Sequence, residues 1–184
     1  MRIILGEYSG RNVYMPAHIR PTQNLVRKAI FDIIGHDLSG LSFLELFSGS
    51  GAVGFEALSC GASEVVLIDH DPKCVGVIGE NMTLLKPAER GLSASVLCQD
   101  AFFSIKEFAR QQKKFHVVFF DPPYGLKLAK KTLKTLMTHD ILHPSSFVVG
   151  QCDATERLPE VDGSLKVIKD KVYGSSRLIV FERQ

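Results

Sequence analysis

The spacing of apolar residues changes character near position 41. Before it, Ile3-Ile4-Leu5 and Arg11-Asn12-Val13-Tyr14-Met15 flank Gly6 to Gly10, which predicts a short hairpin followed by a turn at Pro16. Leu25, Val26, Ala29, Ile30, Ile33 and Ile34 then recur at helical spacing, with Thr22 as the N-cap and Gly35 as the stop. From Leu41 onward, short apolar runs alternate with amphipathic stretches, as parallel strands joined by crossover helices do. Strands are predicted near 43–47, 65–69, 94–98, 116–120 and 146–150, with helices near 52–60, 72–86, 101–112 and 126–138. Residues 165–173 and 177–183, joined at Gly174-Ser175, alternate and predict a closing antiparallel hairpin. The expected architecture is α/β and Rossmann-like, with a mostly parallel seven-stranded sheet. Residues 1–40 form an N-terminal hairpin and helix, and 41–184 the main domain.

Composition narrows the class. At 184 residues, 45% hydrophobic and with a mean hydropathy of +0.09, the chain can bury a real core and is not disordered. No apolar run reaches the roughly 18 to 20 residues that span a bilayer, and the N-terminus lacks a signal-peptide core, so a cytoplasmic protein with no membrane partner is expected. Cys60, Cys74, Cys98 and Cys152 form no Cys-x-x-Cys pair and read as reduced core thiols. Net charge is only +2, yet residues 1 to 36 carry Arg2, Arg11, Arg20, Arg27 and Lys28 against Glu7 and Asp32. The N-terminal arm is the basic part of the chain, which fits a phosphate-backbone contact surface as well as an ordinary solvated one.

The candidate chemistry begins at the end of the fourth predicted strand. His116-Val-Val-Phe-Phe120 stops at Asp121-Pro122-Pro123-Tyr124, where ligands of open α/β sheets bind. Proline has no N–H and pushes the residue before it into extended geometry, so Pro122 offers its carbonyl with no donor beside it. The Asp121 carboxylate and that carbonyl are two acceptors able to converge on one NH2 group, with Tyr124 as a flat face for a planar ring.

A second motif lies after the first strand. Phe43-Leu-Glu45-Leu-Phe47 runs into Ser48-Gly49-Ser50-Gly51-Ala52-Val53-Gly54, a G-x-G-x-x-G turn opening a helix. Asp69 ends the next strand, 18 positions after Gly51, where a carboxylate accepts bonds from ribose hydroxyls. Asp100 and Ala101 end the third strand and are candidates for an adenine edge. Glu45, Phe47, Gly49, Ser50, Gly51, Asp69, Asp100 and Ala101 are thus the cofactor-binding candidates. Both a dinucleotide and S-adenosylmethionine carry an adenosine. Glu45 favours the second, since it suits an ammonium and repels a pyrophosphate; no Tyr-x-x-x-Lys is present, and the tetrad completes the case.

The chain resembles the RsmD family of bacterial 16S ribosomal RNA guanine-N2 methyltransferases. The likeness is carried by Arg2-Ile3-Ile4 with Gly10-Arg11, Arg20-Pro21-Thr22, Val26-Arg27, Ala29 to Phe31, Glu45 to Gly54, Glu56-Ala57, Gly61-Ala62, Asp121 to Tyr124 and Tyr173-Gly174. It departs from the family at Cys60, usually arginine, at Asp32, commonly asparagine, and at Asp69, usually glutamate. The resemblance implies a class I S-adenosylmethionine-dependent methyltransferase acting on the N2 of a guanine, with Asp121, Pro122, Pro123 and Tyr124 as catalytic residues and no metal. Its implied partner is 16S ribosomal RNA, free or within an assembling small subunit, bound by a monomer through Arg11, Arg20, Thr22, Arg27 and Lys28. DNA adenine-N6 and protein glutamine-N5 methyltransferases use similar tetrads, usually with asparagine first, and are the rival enzymes. A non-catalytic RNA-binding assembly factor is the rival of another class. His139 and His143 have the i, i+4 spacing of a zinc helix but lack its glutamate, and read as solvent-facing residues at a helix end.

Overall fold

A computed structural model describes residues 1–19, 22–161 and 163–184. Helix α1 (Asn24–Ile34) precedes β1 (Ser42–Leu46), α2 (Ala52–Ser59), β2 (Glu64–Asp69), α3 (Pro72–Leu85), β3 (Ser93–Cys98), α4 (Ala101–Arg110), β4 (Phe115–Phe120), α5 (Leu128–Thr138), β5 (Leu142–Asp153), β6 (Leu165–Tyr173) and β7 (Ser176–Arg183). The sheet order is β3-β2-β1-β4-β5-β7-β6. Neighbours from β3 to β5 pair in parallel, and β7 is antiparallel to both β5 and β6. The order reverses between β1 and β4, and a ligand crevice opens at such a point.

Each face of the sheet is covered, which is why β1 is buried along its whole length. One face packs α2 and α3 through Val53, Phe55, Leu58 and Ile78. The other packs α4 and α5 through Ile105, Phe108, Leu133 and Leu136. The first forty residues join the first of these cores, with Ile3, Tyr8, Val26, Ile30, Phe31 and Leu38 buried in it. Each such side chain contributes roughly 1.5–3 kcal/mol. The arm is also tied by polar groups: Glu56 of α2 accepts from the Ile4 and Leu5 N–H groups at 3.0 and 2.9 Å and from Arg27 Nη1 at 2.7 Å.

Several expectations are corrected. Helix α1 starts at Asn24 with Gln23 in the N-cap position and no side-chain cap, so Thr22 is not the cap. The hairpin is reduced to one bridge, Arg2 to Asn12, because the arm spends its backbone bonds on α2 as well. Strand β5 is twelve residues long; its pairing with β4 shifts register between Phe115 and Val117, and Pro144 and Ser145 (φ 57°) sit opposite that bulge. His143 therefore lies in β5, half-buried and stacked on His116 at 4.1 Å, while His139 follows the last turn of α5. Cys98 is exposed, because β3 is an edge strand. Among the described residues, no helix is long and apolar enough to cross a membrane.

Candidate active site

The chain leaves β1 through Phe47, Gly49 and Gly51, with φ of 57°, 52° and 69°. A left-handed phenylalanine costs roughly 1–3 kcal/mol and persists only where its surroundings impose it, which is common at ligand sites. Here Phe47 meets Phe102 edge-on at 6.0 Å. Next to it the Ser48 hydroxyl donates to Glu45 O at 2.9 Å and accepts from the Ile68 N–H at 3.0 Å. Gly49 donates its N–H to Asp69 Oδ2 at 2.7 Å, and Gly54 donates to Glu45 Oε2 at 2.8 Å. A Cβ on Gly54 would stand 2.7 Å from that same oxygen, so glycine there lets α2 close onto the strand.

A cavity of about 760 Å³ opens over the carboxyl ends of β1, β2, β4 and β5. Glu45, Phe47, Gly49, Ser50 and Asp69 line one part of it, and Asp121, Pro122, Pro123 and Tyr124 another. The carboxylates define its electrostatics. Burial pushes the Glu45 carboxyl up to about 8, against the pull of the Gly54 and Val53 N–H groups and with the charges of Asp121 and Asp69 adding to the rise. Desolvation pushes Asp121 up to about 7. Acidic groups shifted this far favour a cationic ligand, whose arrival would let them ionise.

Three cofactor candidates fall outside the lining. Gly51 is buried, and a Cβ there would meet Leu67 Cδ2 at 2.9 Å, so it serves packing. Asp100 caps α4 by accepting the Phe103 N–H at 2.8 Å, and Ala101 is the buried first residue of that helix. Sequence reasoning missed His18, Gln23, Asp71, Gln151 and Ser176, which all reach the cavity. Tyr124 Oη lies 2.9 Å from Ser176 Oγ of β7 and accepts from Gln151 Nε2 of β5 at 3.3 Å, a meeting of strands that only the sheet order brings about. His18 Nε2 lies 2.7 Å from Asp71 Oδ2, and Cys74 Sγ joins them to make a cluster whose ligand atoms all lie within 4.8 Å. Burial pushes the Cys74 thiol up to about 12, and the His18–Asp71 contact ties the arm to the start of α3.

The RNA-contact candidates separate. Arg11 and Lys28 are exposed, and Thr22 lines the cavity. Arg20 lies outside the described residues. Arg27 is corrected: it is 1% exposed, bound to Glu56, to Arg2 O at 3.1 Å and to Asn24 Oδ1 at 2.5 Å, and so is closed to a phosphate. Burial lowers its guanidinium and raises Glu56, the signature of an internal ion pair. A basic face that counting charges from the N-terminus overlooked runs along α5, where Lys127, Lys130, Lys131 and Lys134 flank a shallow groove. Their i, i+3, i+4, i+7 spacing was the available signal.

The sheet order, with its cavity at the switch point and glycine loop after β1, is that of the class I S-adenosylmethionine-dependent methyltransferase fold. Residues 1–182 match the family described as conserved hypothetical protein 95, and the chain belongs to this family, the RsmD family. It is 32% identical over 186 residues to YlbH of Bacillus subtilis (strain 168), with 100% of both chains covered. It is 27% identical over 186 residues to ribosomal RNA small subunit methyltransferase D of Escherichia coli (strain K12), covering 100% of this chain and 90% of that relative. The solved structure of yhhF from Escherichia coli matches with a TM-score of 0.86 at 28% identity, covering 100% of this chain and 98% of the other.

Proposed function

We propose that this protein methylates the exocyclic N2 of a guanine in 16S small-subunit ribosomal RNA, using S-adenosylmethionine, in the cytoplasm. The observation that carries it is the partly buried Asp121, followed by Pro122 and Tyr124, on the wall of a cavity whose other wall is the Glu45–Asp69 glycine-loop region. Full-length similarity to a ribosomal RNA small subunit methyltransferase supports the same substrate class. The residues fit the donor: Glu45 is a buried carboxylate suited to the ammonium, Asp69 at the end of β2 offers a carboxylate to ribose hydroxyls, and the cavity is of a size that encloses such a molecule. When bound, S-adenosylmethionine supplies an electrophilic methyl group on a sulfonium.

The chain's own residues do the rest. A guanine amino lone pair is delocalised into the ring and is a poor nucleophile. Asp121 and the Pro122 carbonyl accept its two N–H bonds and so fix the nitrogen's direction. Those bonds strengthen as the nitrogen becomes positive in the transition state, which is where stabilisation raises the rate. Asp121 then takes the surplus proton, a task suited to a carboxyl near 7. Tyr124, 38% exposed at the cavity mouth, stacks on a base that has left its helix, worth roughly 1–3 kcal/mol. The exposed Arg11 and Lys28, with the lysine face of α5, hold phosphates.

Mapping methylated nucleotides in ribosomal RNA from cells with and without the gene tests this directly. One 16S guanine should lose its N2-methyl mark in the deletion, and wild-type protein but not Asp121→Ala should restore it. An unchanged 16S map with a lost adenine or glutamine mark would overturn the assignment in favour of the rival enzymes.

A further inference from the structure

Gln151 is 6% exposed, lines the cavity, and is used by nothing described so far except its contact with Tyr124. Strand pairing brings it close to the tetrad: Phe120, the last residue of β4, is in register with Gly150 of β5, and the residues that follow them, Asp121 and Gln151, both line the cavity. Its Nε2 donates to Tyr124 Oη, which is in turn 2.9 Å from Ser176 Oγ. With Nε2 turned to Tyr124, Gln151 Oε1 is buried without a hydrogen-bond partner among the described residues. Buried acceptors are almost always paired in folded proteins. One that is unpaired, in a cavity and next to a catalytic carboxylate, calls for a donor on the ligand.

Guanine has that donor. On its Watson–Crick edge the N1–H is adjacent to the N2 amino group, so a base whose amino group meets Asp121 can turn its N1–H to the neighbouring strand, where the free acceptor is. We propose that Gln151 Oε1 accepts the guanine N1–H and is the residue that selects guanine. This rests on the guanine-N2 assignment above. A purine that keeps the amino group but has an unprotonated N1, such as 2-aminopurine, would point a lone pair at a lone pair, a repulsive element of the kind specificity requires. Sites that bind a ligand N–H reject analogues lacking it, because the site's own group is then left unpaired.

The test uses full-length protein and small-subunit RNA in which the mapped target guanine is retained or replaced by 2-aminopurine. Wild type should methylate guanine with a kcat/KM about tenfold or more above that for 2-aminopurine, as one buried hydrogen bond predicts. Gln151→Met, close in size but without the acceptor, should bring the two substrates within about threefold of each other, mainly by losing rate on guanine, with S-adenosylmethionine affinity unchanged. Gln151→Glu retains an acceptor and should keep the preference. Equal rates for wild type on the two purines, a preference for 2-aminopurine, or an undiminished guanine preference in Gln151→Met would each overturn the proposal. The wild-type ratio is readable even where Gln151→Met does not fold. A wild-type protein that methylates no 16S guanine at all would instead overturn the function itself.

Discussion

The two walls of the cavity are built on opposite principles. On the glycine-loop wall the polar groups already have partners within the protein: Asp69 accepts from the Gly49 and Asp71 N–H groups, and Glu45 from Gly54. On the tetrad wall the acceptor is held back: among the described residues, Gln151 Oε1 is buried with no hydrogen-bond partner. The first wall is preorganised by its own network, so it keeps its shape whether or not it is filled. The second, in the proposed reaction, meets a base that arrives with donors, and the free protein bears the cost of the unpaired acceptor.

The sharpest way to break this contrast is Asp121→Ala. It should lower kcat by roughly 10²–10³-fold, in the range for a lost transition-state contact, while S-adenosylmethionine affinity by calorimetry stays within about threefold. Loss of cofactor binding with intact chemistry would merge the two walls into one. Away from the cavity, Arg27→Met should cost about 3–5 kcal/mol in urea denaturation, because it strands the Glu56 carboxylate in the core. It should leave the salt dependence of RNA binding unaltered.

Glu45→Gln should weaken S-adenosylmethionine about tenfold, one charge-assisted bond at a buried site, and leave RNA affinity unchanged. The raised carboxyls also predict pH dependence. Glu45 at about 8 and Asp121 at about 7 hold protons in the folded state that the unfolded chain, with ordinary carboxyls near 4, has released. In this window the folded form binds more protons, so these two groups make the free protein less stable as pH rises from about 4 to 8. Cofactor affinity should rise across pH 6–9, with protons released on binding; a flat profile would mean that neither group faces the ligand's charge. The smallest effect is expected at the rim. Arg11→Gln and Lys28→Gln should each reduce the salt slope of RNA binding by about one, if each holds one phosphate.

Much of this was legible along the chain, and for local reasons. Alternation of apolar runs with helical spacing produced the strand and helix order. The helix expected near 72–86 does begin at Pro72, with Asp71 accepting the Lys73 N–H at 2.9 Å. The misses share a cause. Thr22 looked like the cap of α1 because of its residue type, yet the helix starts one residue later, after Gln23. Arg27 looked like a surface cation because charge counting ignores which face of α1 meets α2, where Glu56 waits.

The sequence by itself determined the elements, the glycine loop and the tetrad, since those follow from backbone rules acting over a few residues: proline's missing N–H, glycine's left-handed freedom and the two periods of strand and helix. Only the tertiary structure decided which groups are spent and which are free. Gln151 is 30 positions from Asp121 in the chain, yet the two follow directly on the paired residues Gly150 and Phe120 and line one cavity. Ser176 reaches Tyr124 only because β5 and β7 are neighbours. Strand order is set by the packing of whole layers, and no short stretch of sequence encodes it.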